Sequence, residues 1–323
     1  MKRELLLLRH GKSDWTTGLP DFQRPLQERG RRGSQQIGNW LLQHALLPDL
    51  IVSSGAERAR RTAEEVSKVM GRDPEQIRLD GNLYGASLSD LLALLQGLSE
   101  RPGRLMLVGH NPGLEDLLAY LVGPEIVVPE DGKLLPTAAL ARLRMPDDWH
   151  ALVLGCAVLD SITRPAALPL TFPYPSPDGS EQRERPAYYY DQSAVVPFRL
   201  DKGRPRILLI RSRSGQRWIV PKGIREPNLT HAQSALKEAW EEAGVKGDVG
   251  DTPLGRCSYR KWGGTCRLEV YPLAVTDVAD HWEEDFRERR WVSPKKAAAL
   301  LQPKALGDLV AALGKRLKRR KSG

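Results

Sequence analysis

At 323 residues and 36.1 kDa, the chain is roughly twice the ~150 residues of an ordinary domain, so two folded units are expected. With 41% hydrophobic and 28% charged residues it has the composition of a folded soluble protein, which excludes the disordered and low-complexity classes. The formal charge of +9 points to an anionic partner but is unevenly spread: residues 1–160 hold 19 Lys and Arg against 21 Asp and Glu, residues 161–323 hold 30 against 19, and six cations fall between Lys315 and Gly323.

Only four leucines separate Glu4 from Arg9 and His10, too few for a signal-peptide core of about 7–15 apolar residues. The run reads instead as a first strand, Glu4–Arg9. Strand patterns at Leu50–Ser53, Leu105–Gly109 and Leu152–Leu159 alternate with helical patterns at Gly30–Gln43, Glu57–Met70, Leu88–Leu98 and Gly113–Leu121. Strands separated by helices predict an α/β unit with a mostly parallel sheet covered on both faces. From Arg164 to Pro186 six prolines interrupt the chain; they remove donors and fix φ, as in an extended linker. The predicted organisation is therefore a first domain at 1–163, a linker at 164–186 and a second domain at 187–323. In the latter, strands are predicted at Tyr188–Pro197, Arg206–Arg213, Cys257–Arg260 and Leu268–Val275, a helix at Thr230–Ala243, and two short helices on either side of Pro303.

Cys156, Cys257 and Cys266 lack paired metal spacing, and an odd count argues against a disulfide framework. No apolar run approaches the ~20 residues of a membrane span. A cytoplasmic protein with no membrane partner is expected.

Two predicted strands of the first domain each end in a glycine–histidine or histidine–glycine pair: Leu8-Arg9-His10-Gly11 and Val108-Gly109-His110, the latter followed by Asn111-Pro112-Gly113. In an open parallel sheet, ligands bind beyond the carboxyl ends of the strands. Between them, Ser53-Ser54 runs into Glu57-Arg58-Ala59-Arg60-Arg61-Thr62, which puts arginine at a helix start already suited to an anion. Together these describe a phosphate pocket. Arg60 and Arg61 are read as a solvated helix face.

These segments, with Arg24-Pro25-Leu26 and Arg29-Gly30, resemble the histidine phosphatase superfamily and, within it, the small SixA-type phosphohistidine phosphatases. The resemblance covers about residues 1–160 and implies a three-layer α/β/α fold. It implies that His10 is the nucleophile that takes up the phosphoryl group, that Arg9 and Arg58 clamp its oxygens, and that His110 donates to the developing charge, with Gly11 and Arg24 lining the substrate site and no metal. A neutral imidazole is needed for such attack, and flanking guanidiniums favour that form while binding phosphate. One departure is that Leu83-Tyr84-Gly85-Ala86-Ser87 lacks the carboxylate general acid of many larger members. A substrate with a good leaving group, phosphohistidine or a phosphoanhydride, is then expected.

In the second domain Glu238, Glu241 and Glu242 recur at offsets of three and four within the predicted helix Thr230–Ala243, with Thr230 as N-cap and Gly244 as terminator. Like charges so spaced destabilise a helix unless a cation neutralises them, and hard Mg²⁺ or Mn²⁺ suits an all-oxygen cluster. The run from Gly223 through Glu238, Glu241 and Glu242 to Gly244 and Val245 looks like a Nudix box. Trp218–Gly223, Glu238–Gly244 and Phe286–Val292 resemble the diphosphoinositol polyphosphate phosphohydrolase branch of that family. An α/β/α sandwich with a mixed sheet follows from the resemblance, as does a divalent metal held by Glu238, Glu241 and Glu242 with the Gly223 carbonyl, Glu241 and Glu242 serving catalysis. Arg213, Lys222 and Arg225 would bind a densely phosphorylated substrate, aided by Arg211 and Arg217. Lys237 stands where the family has arginine. Leu229 replaces the loop glutamate, so either Glu226 takes its part or the loop has lost it. Glu283-Glu284-Asp285 offers a late carboxylate or a solvated turn.

The combined expectation is a bifunctional phosphohydrolase: one domain cleaves a diphosphate linkage with Mg²⁺ and the other removes phosphoryl groups through a phosphohistidine. The partners are a nucleotide, inositol pyrophosphate or polyphosphate, or a phosphohistidine protein; nucleic acid is not expected and the oligomeric state is left open. The alternative is a protein phosphohistidine phosphatase whose second domain senses a phosphate ligand.

Overall fold

The computed structural model describes residues 3–100, 102–124, 126–127 and 129–319. The chain divides between Phe172 and Pro173 into two compact units. The first contains β1 (Arg3–Arg9), α1 (Glu28–Gln43), β2 (Leu50–Ser54), α2 (Glu57–Val69), β3 (Arg78–Asp80), α3 (Leu88–Gln96), β4 (Arg104–Gly109), α4 (Gly113–Val122), β5 (Leu140–Met145) and β6 (Val158–Thr163). Their sheet runs β3-β2-β4-β1-β5-β6, with the first four strands parallel and β5 and β6 antiparallel. Successive strand residues point to opposite faces, so Leu5, Leu7, Leu105 and Leu107 pack with α3 and α4. Leu6, Leu8, Met106 and Val108 pack with Ile37 and Leu41 of α1 and Ala59, Ala63 and Val66 of α2. An unbroken leucine run is what a strand buried on both faces requires.

The expected strand at Leu152–Leu159 is displaced: the last strand is Val158–Thr163, and β5 precedes it as an unforeseen partner. In β5 two arginines alternate with buried residues; Arg142 pairs with Glu4 and Arg144 with Asp160, so the charges that mask the pattern are satisfied across strands.

The proline-rich stretch carries structure. Pro165 lies against Gly33 of α1, Leu168 packs on the α1–α2 side of the core, and Gln36 Nε2 donates to the Pro169 carbonyl at 2.8 Å. Two short strands follow, β7 (Phe172–Pro173) and β8 (Gln182–Arg183). The Arg183 guanidinium lies 3.1 Å from the Tyr174 ring centre and 4.5 Å from that of Tyr190.

The second unit contains β9 (Asp191–Asp201), β10 (Arg204–Arg211), β11 (Trp218–Ile219), β12 (Lys222–Ile224), α5 (His231–Ala243), β13 (Val245–Val249), β14 (Gly255–Lys261), β15 (Gly264–Val278), β16 (Arg289–Val292), α6 (Pro294–Leu300) and α7 (Lys304–Arg319). The spine of its sheet is β11-β10-β9-β15-β13, with β12 also on β9, β14 on β15 and β16 on β10. Only β9 and β15 pair in parallel. Helix α5 covers one face through Ala235, Ala239 and Ala243, while α6 and α7 cover the other through Ala297, Leu301, Leu306, Val310 and Leu313. Residues 188–190, expected to open a strand, lie in a 3-10 turn at Ala187–Tyr190, and α7 with 16 residues is longer than the short helix expected. Residues 320–323 of the basic tail lie outside the described residues.

Candidate functional site

Parallel pairing of β1 with β4 sets Arg9 opposite Gly109, and the next residue of each strand is a histidine. The His10 N–H donates to the Gly109 carbonyl at 3.0 Å, and the rings of His10 and His110 lie 5.0 Å apart. Strand β2 ends beside them at Ser54, whose hydroxyl is 2.9 Å from His110 Nε2. A close turn fixes the first histidine. The Gly11 N–H donates to the Thr62 hydroxyl at 2.8 Å, and a β-carbon on Gly11 would fall 2.7 Å from the Gly30 carbonyl oxygen, so no other residue fits without moving the backbone.

His10 Nδ1 is 2.7 Å from the Gly11 carbonyl. A carbonyl accepts only, so Nδ1 carries the proton and Nε2 is left with its lone pair. Arg58 Nε approaches that Nε2 at 3.4 Å. Burial, joined by His110, Arg58 and Arg9, brings the His10 pKa down to about 3. Burial and then Arg58 bring that of His110 down to about 4. Both rings are neutral at physiological pH, and among the described residues the buried His110 Nδ1 has no partner. Arg9 donates to the Leu135 carbonyl at 2.8 Å; burial opposes its charge, and Glu115 supports it.

Asp21, which sequence reasoning did not single out, fills the guanidinium fork. Its carboxylate accepts from Arg58 at 2.8 Å, from Arg24, and from the Tyr84 hydroxyl at 2.7 Å. The Tyr84 hydrogen bond, aided by the two arginines, holds the Asp21 pKa below the usual carboxylate range. Tyr84 also meets the His110 ring edge-on at 5.6 Å. Arg60 and Arg61 face away from this group and share Glu57 and Glu64.

In the second unit, Thr230 and Gln233 form a reciprocal cap at the start of α5, and Gly244 ends it in the left-handed conformation at φ 58°. Gly223 lies directly beneath Glu238: a β-carbon there would fall 1.7 Å from Glu238 Oε1. Glu242 accepts from the Lys222 N–H at 2.9 Å and from Arg287 at 3.0 Å. Arg287 also holds Glu284 at 2.5 Å, and Glu284 donates its N–H to the Glu241 carbonyl at 3.2 Å. Burial, then Glu242 and Glu241, push the Glu238 pKa up to about 8, and burial raises that of Glu242 as well. Buried carboxylates that resist sharing negative charge call for a cation.

Donor type and charge therefore suit a hard divalent ion at Glu238 and Glu242. Among the described residues no three Asp, Glu, His or Cys side chains converge as a ready cage. Mg²⁺ keeps several waters and shares substrate oxygens, so two carboxylates and the Gly223 backbone fit its habits better than those of an ion that needs a closed protein shell.

The other expected substrate residues are dispersed. Lys222 Nζ lies 3.3 Å from the Tyr259 hydroxyl, at the metal-side end of the sheet. Arg225 instead braces its loop, pairing with Asp191 at 2.8 Å and donating to the Leu229 carbonyl at 3.1 Å. Arg213 sits in an exposed turn. Glu226 accepts from Lys237 at 2.8 Å and adds to the charge that raises Glu238, so a loop carboxylate faces the helix despite Leu229. Arg287 went unrecognised in sequence because it sits 45 residues from Glu242 in a run of alternating charge.

Sequence comparison matches residues 5–91 to the histidine phosphatase superfamily, branch 1, and residues 190–313 to the NUDIX domain. The first match includes Arg9, His10, Gly11, Arg24 and Arg58 and stops short of His110. An uncharacterised protein of Mycobacterium tuberculosis is 32% identical over 156 residues, which span 47% of this chain and 96% of that protein. Human diphosphoinositol polyphosphate phosphohydrolase 3-alpha is 34% identical over 120 residues, 36% of this chain and 72% of that protein. Among solved structures, the protein histidine phosphatase SixA complexed with tungstate is 23% identical, covering 50% of this chain and 97% of that one with a TM-score of 0.43.

Proposed function

We propose that this chain, which belongs to the histidine phosphatase superfamily through its first unit and to the Nudix family through its second, is a bifunctional phosphohydrolase acting on phosphorylated small molecules. The observation that carries the reading is a neutral His10 whose Nε2 lone pair faces Arg58 beside a second neutral histidine. Such an imidazole can attack phosphorus, and the phosphoryl group would pass from its leaving group to Nε2, then to water. Arg9 and Arg58 would hold the equatorial oxygens, and His110 would stabilise charge opposite. Asp21 is ionised where it stands and offers no proton, which favours a leaving group that departs without one.

In the Nudix unit, a divalent ion at Glu238 and Glu242 would polarise a diphosphate and activate water. Lys222 would neutralise substrate phosphate, Arg287 keeps Glu242 in place, and Glu226 or Glu284 is positioned to take a proton. A diphosphate linkage in a nucleotide, an inositol pyrophosphate or a polyphosphate meets these needs, and Mg²⁺ or Mn²⁺ is the ion expected.

A panel of phosphorylated substrates assayed with and without Mg²⁺ tests both assignments. His10→Ala should abolish the metal-independent activity alone, and Glu242→Gln the Mg²⁺-dependent activity alone. Unchanged turnover in Glu242→Gln would leave the second unit a ligand-binding module.

A further inference from the structure

A groove of about 570 Å³ lies on the second unit between the β9–β10 turn, the start of α6 and the end of α7. Arg204 and Arg206 enter it from the start of β10, Lys295 from α6, and Lys315 and Lys318 from α7. Its floor is slender: Pro294, Ala298, Ala311 and Gly314. At Gly314 the two helices are so close that a β-carbon would fall 2.4 Å from the Pro294 Cβ. Among the described residues no carboxylate and no aromatic side chain lines this groove.

Elsewhere the chain neutralises clustered arginines. Arg60 and Arg61 share Glu57 and Glu64, and Arg104 and Arg142 share Glu4. In the groove only Arg206 has a carboxylate, Asp201 at 3.7 Å; among the described residues Arg204, Lys295, Lys315 and Lys318 have none. Cations gathered on a concave surface focus a positive potential that an anion relieves. The groove is also apart from the metal-binding carboxylates, because α6 and α7 cover the sheet face opposite α5.

We propose that this groove binds an oligophosphate chain, several phosphates in line without a base, at a site separate from the Nudix centre. Five cations from three elements exceed what one phosphate engages, and small floor residues leave room for a slender chain. Single-stranded nucleic acid is held by stacking on aromatic rings, and the groove has none. Membrane surfaces are held through large apolar side chains that insert, which it also lacks.

The test uses the full chain and inorganic polyphosphate of about ten phosphates, titrated at several salt concentrations with a chelator present. In Lys315→Glu/Lys318→Glu, binding should weaken at least about tenfold and the salt slope should fall by roughly two, while Mg²⁺-dependent turnover of a short substrate stays unchanged. Lys246→Glu/Arg267→Glu makes the same charge change on exposed residues outside the groove and should cost less than about threefold. An equal loss in that control would reduce the effect to net charge and overturn the site. So would unaltered binding in the groove variant, or RNA of equal charge binding more tightly through the same two lysines.

Discussion

His10 sits where desolvation outweighs the hydrogen bond that would favour its proton. Its pKa, down to about 3, and that of His110, down to about 4, predict that neither imidazole resonance titrates between pH 8 and 5 in the ligand-free chain. A midpoint near 6.5 for either would show that burial does not hold that ring neutral. Because both folded pKa values lie below that of an unfolded histidine, the unfolded chain takes up protons first as pH falls. Stability should therefore decline as pH drops from about 6.5 toward 4, and His10→Gln should flatten part of that decline. A bound oxyanion should raise both values, since it favours imidazolium. Asp21 competes with that oxyanion for Arg58, so Asp21→Ala should tighten inhibition by phosphate or tungstate about threefold to tenfold. Weaker inhibition would instead make Asp21 the residue that keeps Arg58 in place. The histidines and Arg58 were legible in sequence because they stand at strand ends and a helix start, where position implies direction. Asp21 and Tyr84 were not: they reach Arg58 and each other across 37 and 63 residues, from turns with no periodicity to read.

The glutamate helix shows what an element adds to its residues. Its alanines at 235, 239 and 243 fix which face is buried, and this in turn sets Glu238 over Gly223. Gly223→Ala would place a β-carbon where the Glu238 carboxylate lies. Displacement by about an ångström is enough to lower Mg²⁺-dependent turnover about a hundredfold, with the far-ultraviolet circular dichroism of the chain preserved. Near-normal turnover would mean that Glu238 is not held by that contact. The same burial that readies Glu238 for a cation strains the metal-free fold. Glu238→Gln should raise the metal-free melting temperature by a few degrees, and Mg²⁺, expected to stabilise the parent chain by binding its folded state, should add nothing to the variant. Such gains in stability at the expense of activity are common where charge is buried for function. At this scale the pattern of α5 was readable because cap, spacing and terminator agree. The short strands β12 and β13, with three and five residues, were not, since neither is long enough to show an alternation of its own.

At the scale of the whole chain, the proline-rich stretch is where composition and structure part. Proline count implies extended backbone but says nothing about whether that backbone packs. Here the part before Phe172 is tied to α1 through Pro165, Leu168 and the Gln36–Pro169 hydrogen bond, and Phe172 is itself buried. A fragment of the first unit ending at residue 163 discards these contacts, whereas one ending at 172 keeps those to α1. Losing two or three buried apolar side chains at ~1.5–3 kcal/mol each, discounted for their partial exposure, corresponds to a melting temperature lower by about 5–10 °C in the shorter fragment. Equal melting temperatures would restore the whole stretch to the role of a linker. The two units also differ in charge: residues 1–172 hold 20 Lys and Arg against 21 Asp and Glu, a net −1, and residues 173–323 hold 29 against 19, a net +10. Phosphate inhibition of the 1–172 fragment is expected to depend on Arg9 and Arg58 at a largely buried site and should change little between low and moderate salt. Polyphosphate binding by the full chain, in contrast, should weaken steeply, because counterion release scales with the number of phosphates engaged. If both respond alike to salt, the excess charge of the second half is not what gathers the longer anion, and the division of labour between a single-phosphate pocket and a polyanion surface fails.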